Sequence, residues 1–334
     1  MRRKESRITE QTLFARGRPE TGFPFQVGEP TEHRGIVVAP LFPLRDPVAR
    51  YMTLDEAIGH GLEIAETGPD GTVPELIVTN PLDDAVLLYD GEELVGAKQN
   101  RILDLSVLVA AGSTLTIPVS CVEQGRWRSV SRTFSAAPHV SSTELRRAKA
   151  AALASRVPAR GAAQGEVWRS VRTKLDALGV ASDTDASRDA FVAHERPIAA
   201  LESAFAAEPG QCGAVLGIGD ELCLDVVSRP QAFAVLWPKL RAGYLLDALC
   251  HLDRQATRPE RVRAFVDEVA GAAAAPSRGP ATGLGTDLRL RGRALGSGLE
   301  LHDELIQLSA FTGDQDRSAG TVAGPIARRS RRAG

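Results

Sequence analysis

The chain has 334 residues, 43% of them hydrophobic and 25% charged, which argues against wholesale disorder and leaves room for one large or two modest domains with real cores. A formal charge of -2 argues against nucleic acid as the main partner, since phosphate binders carry a concentrated basic excess. The opening MRRKESRITEQTLF lacks the apolar centre of a secretory signal, and no run reaches the roughly 18 apolar residues of a membrane span, so the expectation is a cytoplasmic protein with no membrane partner.

In chain order, residues 1–28 read as an irregular, polar lead-in. Residues 29–135 read as short strands separated by turn signals, with GLEIAET, ELIVT and AVLLY parted by GPDGTVP, NPLDD and YDGEE. One short helix interrupts them at MTLDEAIGHG, capped by Thr53 and ended by Gly59 or Gly61. Residues 136–311 read as a helical and hairpin region packed on the same body. SSTELRRAKAAALASRV opens with a Ser141 to Glu144 capping box, and the next helix carries Trp168, Val171, Leu175 and Leu178 on one stripe before Gly179. Pro197 starts a further helix, CGAVLGIGDELCLDVV turns at Gly219 and Asp220, and Pro230 opens a helix that Pro238 kinks. RPERVRAFVDEVAGA is helical, APSRGPATGLG a linker, and DLRLRGRALGSGLELHDELIQLSAF a closing hairpin; residues 312–334 form a disordered basic tail. The fold class is α+β: an N-terminal antiparallel β-sandwich or jelly-roll-like unit with a helical insert and further C-terminal hairpins.

The stretch YDGEELVGAKQNR nearly spells a phosphate loop, but Ala97 separates Gly96 from Lys98 and Gln99 follows the lysine. The residues beyond it alternate as strands, so a phosphate loop is rejected. Pairing NRILDLSVLV with TLTIPVSCVE as a hairpin sets Leu103, Leu105, Val107 and Val109 opposite Cys121, Val119, Ile117 and Leu115. In that register Arg101 meets Glu123, Gln99 approaches Gly125, Asn100 meets Gln124 and Lys98 meets Arg126. Arg101 with Glu123 is then either a structural clasp or the rim of a pocket in which Glu123 acts as acid, base or metal ligand. The like charges of Lys98 and Arg126 call for compensation, either from Glu92 or Glu93 or from a bound anion, with Asn100 and Gln124 reading hydroxyls and Trp127 stacking on a sugar or base.

Other signals are weaker. The six histidines show no metal-ligand spacing, there is no GxSxG elbow, and the four cysteines, Cys121, Cys212, Cys223 and Cys250, read as small buried apolar groups. Asp83 and Asp84 read as turn residues, and Asp225 in LCLDVV as an edge or partner-bonded carboxylate. The basic residues are nearly all Arg; Lys4, Lys98, Lys149, Lys174 and Lys239 are the only lysines, and Lys98 stands out among the polar cluster.

At DGEELVGAKQNR and IPVSCVEQGRW the chain resembles the bacterial family called the ARG and Rhodanese-Phosphatase-superfamily-associated Protein domain. YMTLDEA, VPELIVTN, QGEVW, GAVLGIG and LIQLSAF extend the resemblance over about residues 30–311. It implies a link to ADP-ribose or NAD-derived metabolites and leaves the reaction and cofactor open; Gln307 stands where family members often carry a histidine. The leading expectation is therefore a domain that binds or processes a small phosphorylated, nucleotide-derived ligand. The alternatives are a non-enzymatic interaction module whose polar motif is scaffolding, and metal-assisted hydrolysis by Glu92, Glu93 and Glu123.

Overall fold

The computed structural model of the chain describes residues 23–68, 71–154, 160–253 and 255–313. Most of the lead-in and nearly all of the basic tail lie outside them. The chain enters through β1 (Phe25–Val27), β2 (Thr31–His33) and β3 (Ile36–Pro43). β4 (Met52–Thr53) runs into α1 (Leu54–Gly59), where Thr53 caps as expected and the Glu56 carboxylate returns a bond to the Thr53 amide. Eight strands follow: β5 (Glu63–Glu66), β6 (Glu75–Asn80), β7 (Val86–Leu88), β8 (Glu92–Gly96), β9 (Arg101–Leu103), β10 (Val107–Val109), β11 (Ser113–Cys121) and β12 (Phe134–Val140).

Helices α2 (Thr143–Ala154), α3 (Arg160–Ala177), α4 (Ser187–Ala193) and α5 (Glu195–Glu202) come next. Pro197 lies inside the first turn of α5, where a missing N–H costs little. The expected Ser141 to Glu144 capping box does not form: the Leu145 amide donates to Ser142 Oγ, and the Glu144 amide to Asp247 Oδ2 at 3.0 Å. A distant carboxylate has displaced the local cap. β13 (Gly213–Ile218) and β14 (Glu221–Val227) form the hairpin read from the sequence, turning at Gly219 and Asp220. α6 (Pro230–Ala248) and α7 (Pro259–Ala274) lead to β15 (Ser277–Pro280), β16 (Thr286–Leu290), β17 (Ala294–Leu301) and β18 (Glu304–Thr312). The supposed linker thus contains an edge strand, and the supposed closing hairpin is a three-stranded meander.

The class is α+β. Strand pairing defines three sheets rather than a two-sheet sandwich: nine strands with the main order β1-β3-β13-β14-β18-β17-β16-β15, six in the order β12-β8-β9-β11-β6-β5, and three in the order β10-β7-β4. The central strands of the nine-stranded sheet are buried on both faces. Val215 and Leu224 meet Phe265 and Val269 of α7, whereas Leu216 and Cys223 belong to the core of Phe233, Trp237 and Tyr244 from α6. α6 is buried nearly all round, which makes it the central helix. Among the described residues no helix is long and apolar enough to cross a membrane.

The expected hairpin between 100–109 and 114–123 is not formed. β11 divides its partners, pairing Ser113 to Pro118 with β6 and Val119 to Cys121 with β9, while β10 pairs with β7. Leu103 therefore faces Val119, and Arg101 faces Cys121 rather than Glu123. A slide of two residues leaves each side chain on its own face, so the apolar wall of Leu103, Ile117 and Val119 survives while the partners at the strand end change.

Beyond β11 the chain docks on the helical region. The Gly125 amide donates to Thr184 O at 2.8 Å, and a Cβ on Gly125 would lie 2.8 Å from Thr184 Cα. Only a residue without a side chain fits without backbone movement. Gly125→Ala should destabilise the protein by about 1–3 kcal/mol, the usual cost of overpacking, read as a lower urea midpoint with an unchanged slope.

Candidate functional site

The DGEE motif lies in the turn entering β8 and on that strand, and no helix follows it, so its glycines do not cradle phosphate. Each residue from Tyr89 to Glu93 instead meets a distant element. Gly91, at φ +80°, leaves room for Arg146, whose Cδ would stand 2.8 Å from any added Cβ. Arg146 then reaches Asp225 on β14 with two bonds, 2.8 and 2.6 Å. Tyr89 and Tyr244 donate hydroxyls to the same carboxylate at 2.6 and 2.5 Å, and Ser309 accepts from Arg146 at 2.8 Å. Burial raises the Asp225 pKa, but Arg146 and the two tyrosines more than offset it, and the carboxyl is held below its ordinary value.

Further pairs surround this centre. Asp90 accepts from Lys149 at 3.2 Å, Glu92 from Lys239 at 2.5 Å, and Glu93 lies 2.9 Å from His139 Nε2. Lys174 sits 2.8 Å from both Glu144 and Asp247. Lys149, Lys174 and Lys239 are all buried, whereas Lys98 is partly exposed. Glu92 and Glu93 therefore do not compensate Lys98 and Arg126, as the sequence suggested. Asp225 is partner-bonded, as expected, on an interior strand rather than an edge. Gln307 donates to Ser309 at 2.6 Å and so joins the edge of this network.

At the other end of the motif the expected Arg101 to Glu123 pair is absent. Glu123 is gripped by Arg126 at 2.6 Å, the Asn100 amide at 3.0 Å and Thr184 Oγ1 at 3.2 Å. Burial raises its pKa, but these donors outweigh it and the net shift is downward, and the same contacts make Glu123 a brace for the loop. Arg126 also donates to Ala97 O, Gly96 O and Asn100 Oδ1, while the Gln124 side chain accepts from Arg172. Arg126 thus spends its donors on the backbone and Asn100, and Asn100 and Gln124 are engaged within the protein.

Arg101 differs. It is fully buried, donates through Nη1 to Gln99 at 3.0 Å, and has no hydrogen-bond partner for Nε or Nη2. These two nitrogens form the side-on edge of a guanidinium, the fork that matches a carboxylate or phosphate. Burial lowers its pKa, against the opposing pull of Cys121, Glu66 and Glu123. Glu66 Oε2 is also buried without a hydrogen bond. Trp127, 48% exposed, lies above: its ring centroid is 5.7 Å from Arg101 Cζ and 5.4 Å from Lys98 Nζ. Facing Arg101, Cys121 has its backbone bonded in both directions by the Gln164 side chain, and burial raises its thiol pKa, so it is no ready nucleophile. Gln164 was missed in the sequence because a side chain imitating a strand leaves no periodic signal. Among the described residues no group of three or more His, Cys, Asp or Glu side chains could hold a metal ion.

These features describe an α+β domain whose motif strand is clasped by buried ion pairs and ends beside one uncompensated guanidinium. The family model for the ARG and Rhodanese-Phosphatase-superfamily-associated Protein domain matches residues 24–311, and the chain belongs to that family. No curated protein and no solved structure matches the chain.

Asp225→Asn would leave Arg146 buried against a neutral amide and should cost about 3–5 kcal/mol, as breaking a buried pair does, measurable by urea unfolding. Because the folded pKa values of Asp225 and Glu123 are depressed, their stabilisation is complete above the ordinary carboxylate range near about pH 4 and is lost as pH falls through the folded values. The unfolding free energy of the native protein should fall with acidification in that window, and that of the Asp225→Asn variant should fall less.

Proposed function

We propose that this domain binds a small phosphorylated ligand of the ADP-ribose or NAD-derived type at the Arg101 end of the motif. The observation that carries the reading is the unpaired Nε and Nη2 edge of Arg101, held in the interior beneath a half-exposed tryptophan. A buried guanidinium edge with no hydrogen-bonded partner is costly, and an oxyanion bonded to that fork offsets the cost. Lys98 supplies the second cation and Trp127 the stacking face for a sugar or base. Gln99, Asn100, Glu123, Gln124 and Arg126 brace the strand end and the loop carrying the tryptophan, and Glu92 and Glu93 anchor the strand behind it. Entry requires the Trp127 ring to move aside; it belongs to the irregular segment between β11 and β12.

The scaffolding reading draws on a separate observation. Nearly every other polar side chain of the motif already has an internal partner, as a purely structural clasp would require. Ligand titrations separate the two. Thermal unfolding with inorganic phosphate, ADP-ribose and NAD should show a rise with at least one of them, about 2.7 kcal/mol at a hundredfold excess over Kd. Trp127→Ala and Lys98→Ala should each reduce it. Arg101→Met should remove the part of the ligand effect that Trp127→Ala reduces, while leaving the unliganded protein as stable as the native one or up to about 2 kcal/mol more stable, because an apolar side chain replaces an unmatched charge. No shift with any of the three ligands would favour scaffolding.

A further inference from the structure

A cleft of about 840 Å³ opens elsewhere, between the β13–β14 turn, the start of α2, the end of α6 and the start of α7. Its apolar lining comes from Leu216 and Ile218 on one face of the hairpin and Leu222 on the other. Arg147 from α2 and Arg258 and Arg261 at the start of α7 line its walls. The carboxylates that also line it are largely spoken for: Glu144 and Asp247 meet Lys174, and Glu221 meets Arg147. Arg261 reaches Glu268 at 3.3 Å, while Arg258 makes no side-chain hydrogen bond or ion pair among the described residues. Asp220, on the turn beside it, likewise has none. Thr257 Oγ1 donates to Gly219 O at 2.6 Å, which fixes the start of α7 against the turn and closes that side of the cleft.

We propose that this cleft is a second ligand site, for a phosphate ester of nucleotide size. Its volume falls in the range of small-molecule sites, roughly 300–1,000 Å³. The phosphate is received by Arg258 and Arg261, where charge-assisted bonds are strongest. Leu216 and Ile218 take the flat face of a base, and Asp220 accepts from sugar hydroxyls. This assignment is independent of the Arg101 site, from which it differs in every residue.

The test is calorimetric titration of the full chain with AMP, adenosine and ribose 5-phosphate. AMP should bind, and each of the two fragments should bind more weakly. Arg258→Glu should weaken AMP at least about tenfold with no loss of thermal stability, because Arg258 is exposed at the N-cap of α7, where an acid complements the helix dipole. Ile218→Trp, which fills the apolar side, should weaken AMP as well, whereas Trp127→Ala should not. Absence of AMP binding by the native chain at millimolar ligand, equal affinity in a folded Arg258→Glu protein, or loss of AMP binding in Trp127→Ala would each overturn the proposal. The last result would move AMP to the Arg101 site, and failure of the Trp127 variants toward phosphate or ADP-ribose would leave the cleft untouched.

Discussion

The bidentate contact between Arg146 and Asp225 is the constraint around which this molecule is arranged. It joins the first helix after the motif region to an interior strand of the nine-stranded sheet, and both partners are fully enclosed. Such a pair survives only when its remaining donors and lone pairs are occupied. Tyr89, Tyr244 and Ser309 do this from the turn before β8, from α6 and from β18, and Arg146 Nε, which has no hydrogen bond, lies 3.6 Å from Asp90. Five elements therefore share one polar centre, and the absence of a side chain on Gly91 provides the passage through which the guanidinium arrives.

The DGEE motif gains its meaning from this arrangement. Its carboxylates look like the equipment of an active site, yet Asp90, Glu92 and Glu93 are spent on Lys149, Lys239 and His139. They tie one strand to α2, α6 and β12 at once. A strand anchored so firmly can hold an unfavourable group at its far end. Arg101, the first residue of the next strand, sits opposite Leu94 of that anchored strand and carries an edge with no hydrogen bond.

Local chemistry was legible in the sequence, and distant chemistry was not. Thr53 capping α1, Pro230 at the first position of α6 and the turn at Gly219 and Asp220 are set by residues within a few positions of one another. The strand pairing failed for a physical reason. Any slide of two residues gives the same alternation of apolar and polar faces, so pattern matching could not choose between Cys121 and Glu123 as the partner of Arg101. Nor could it foresee that β11 would pair first with β6. The Ser141 cap lost to Asp247 because a carboxylate over a hundred positions away in sequence arrives at the same helix end. The trace is present in the chain: Asp225 interrupts β14 and reads there as a partner-bonded carboxylate, and Lys239 and Asp247 interrupt the mostly apolar run of α6. Opposite charges set in separate buried segments are the trace that an interior ion-pair system leaves in a chain.

The sealing of three lysines in that system has a chemical consequence. With Lys149, Lys174 and Lys239 enclosed and neutralised, the primary amines of the described body reduce to Lys98, next to Trp127. Acylating reagents, whether a laboratory ester or a cellular acetyl donor, therefore meet one accessible lysine among the described residues, and modification there would erase a positive charge beside the indole without disturbing the interior.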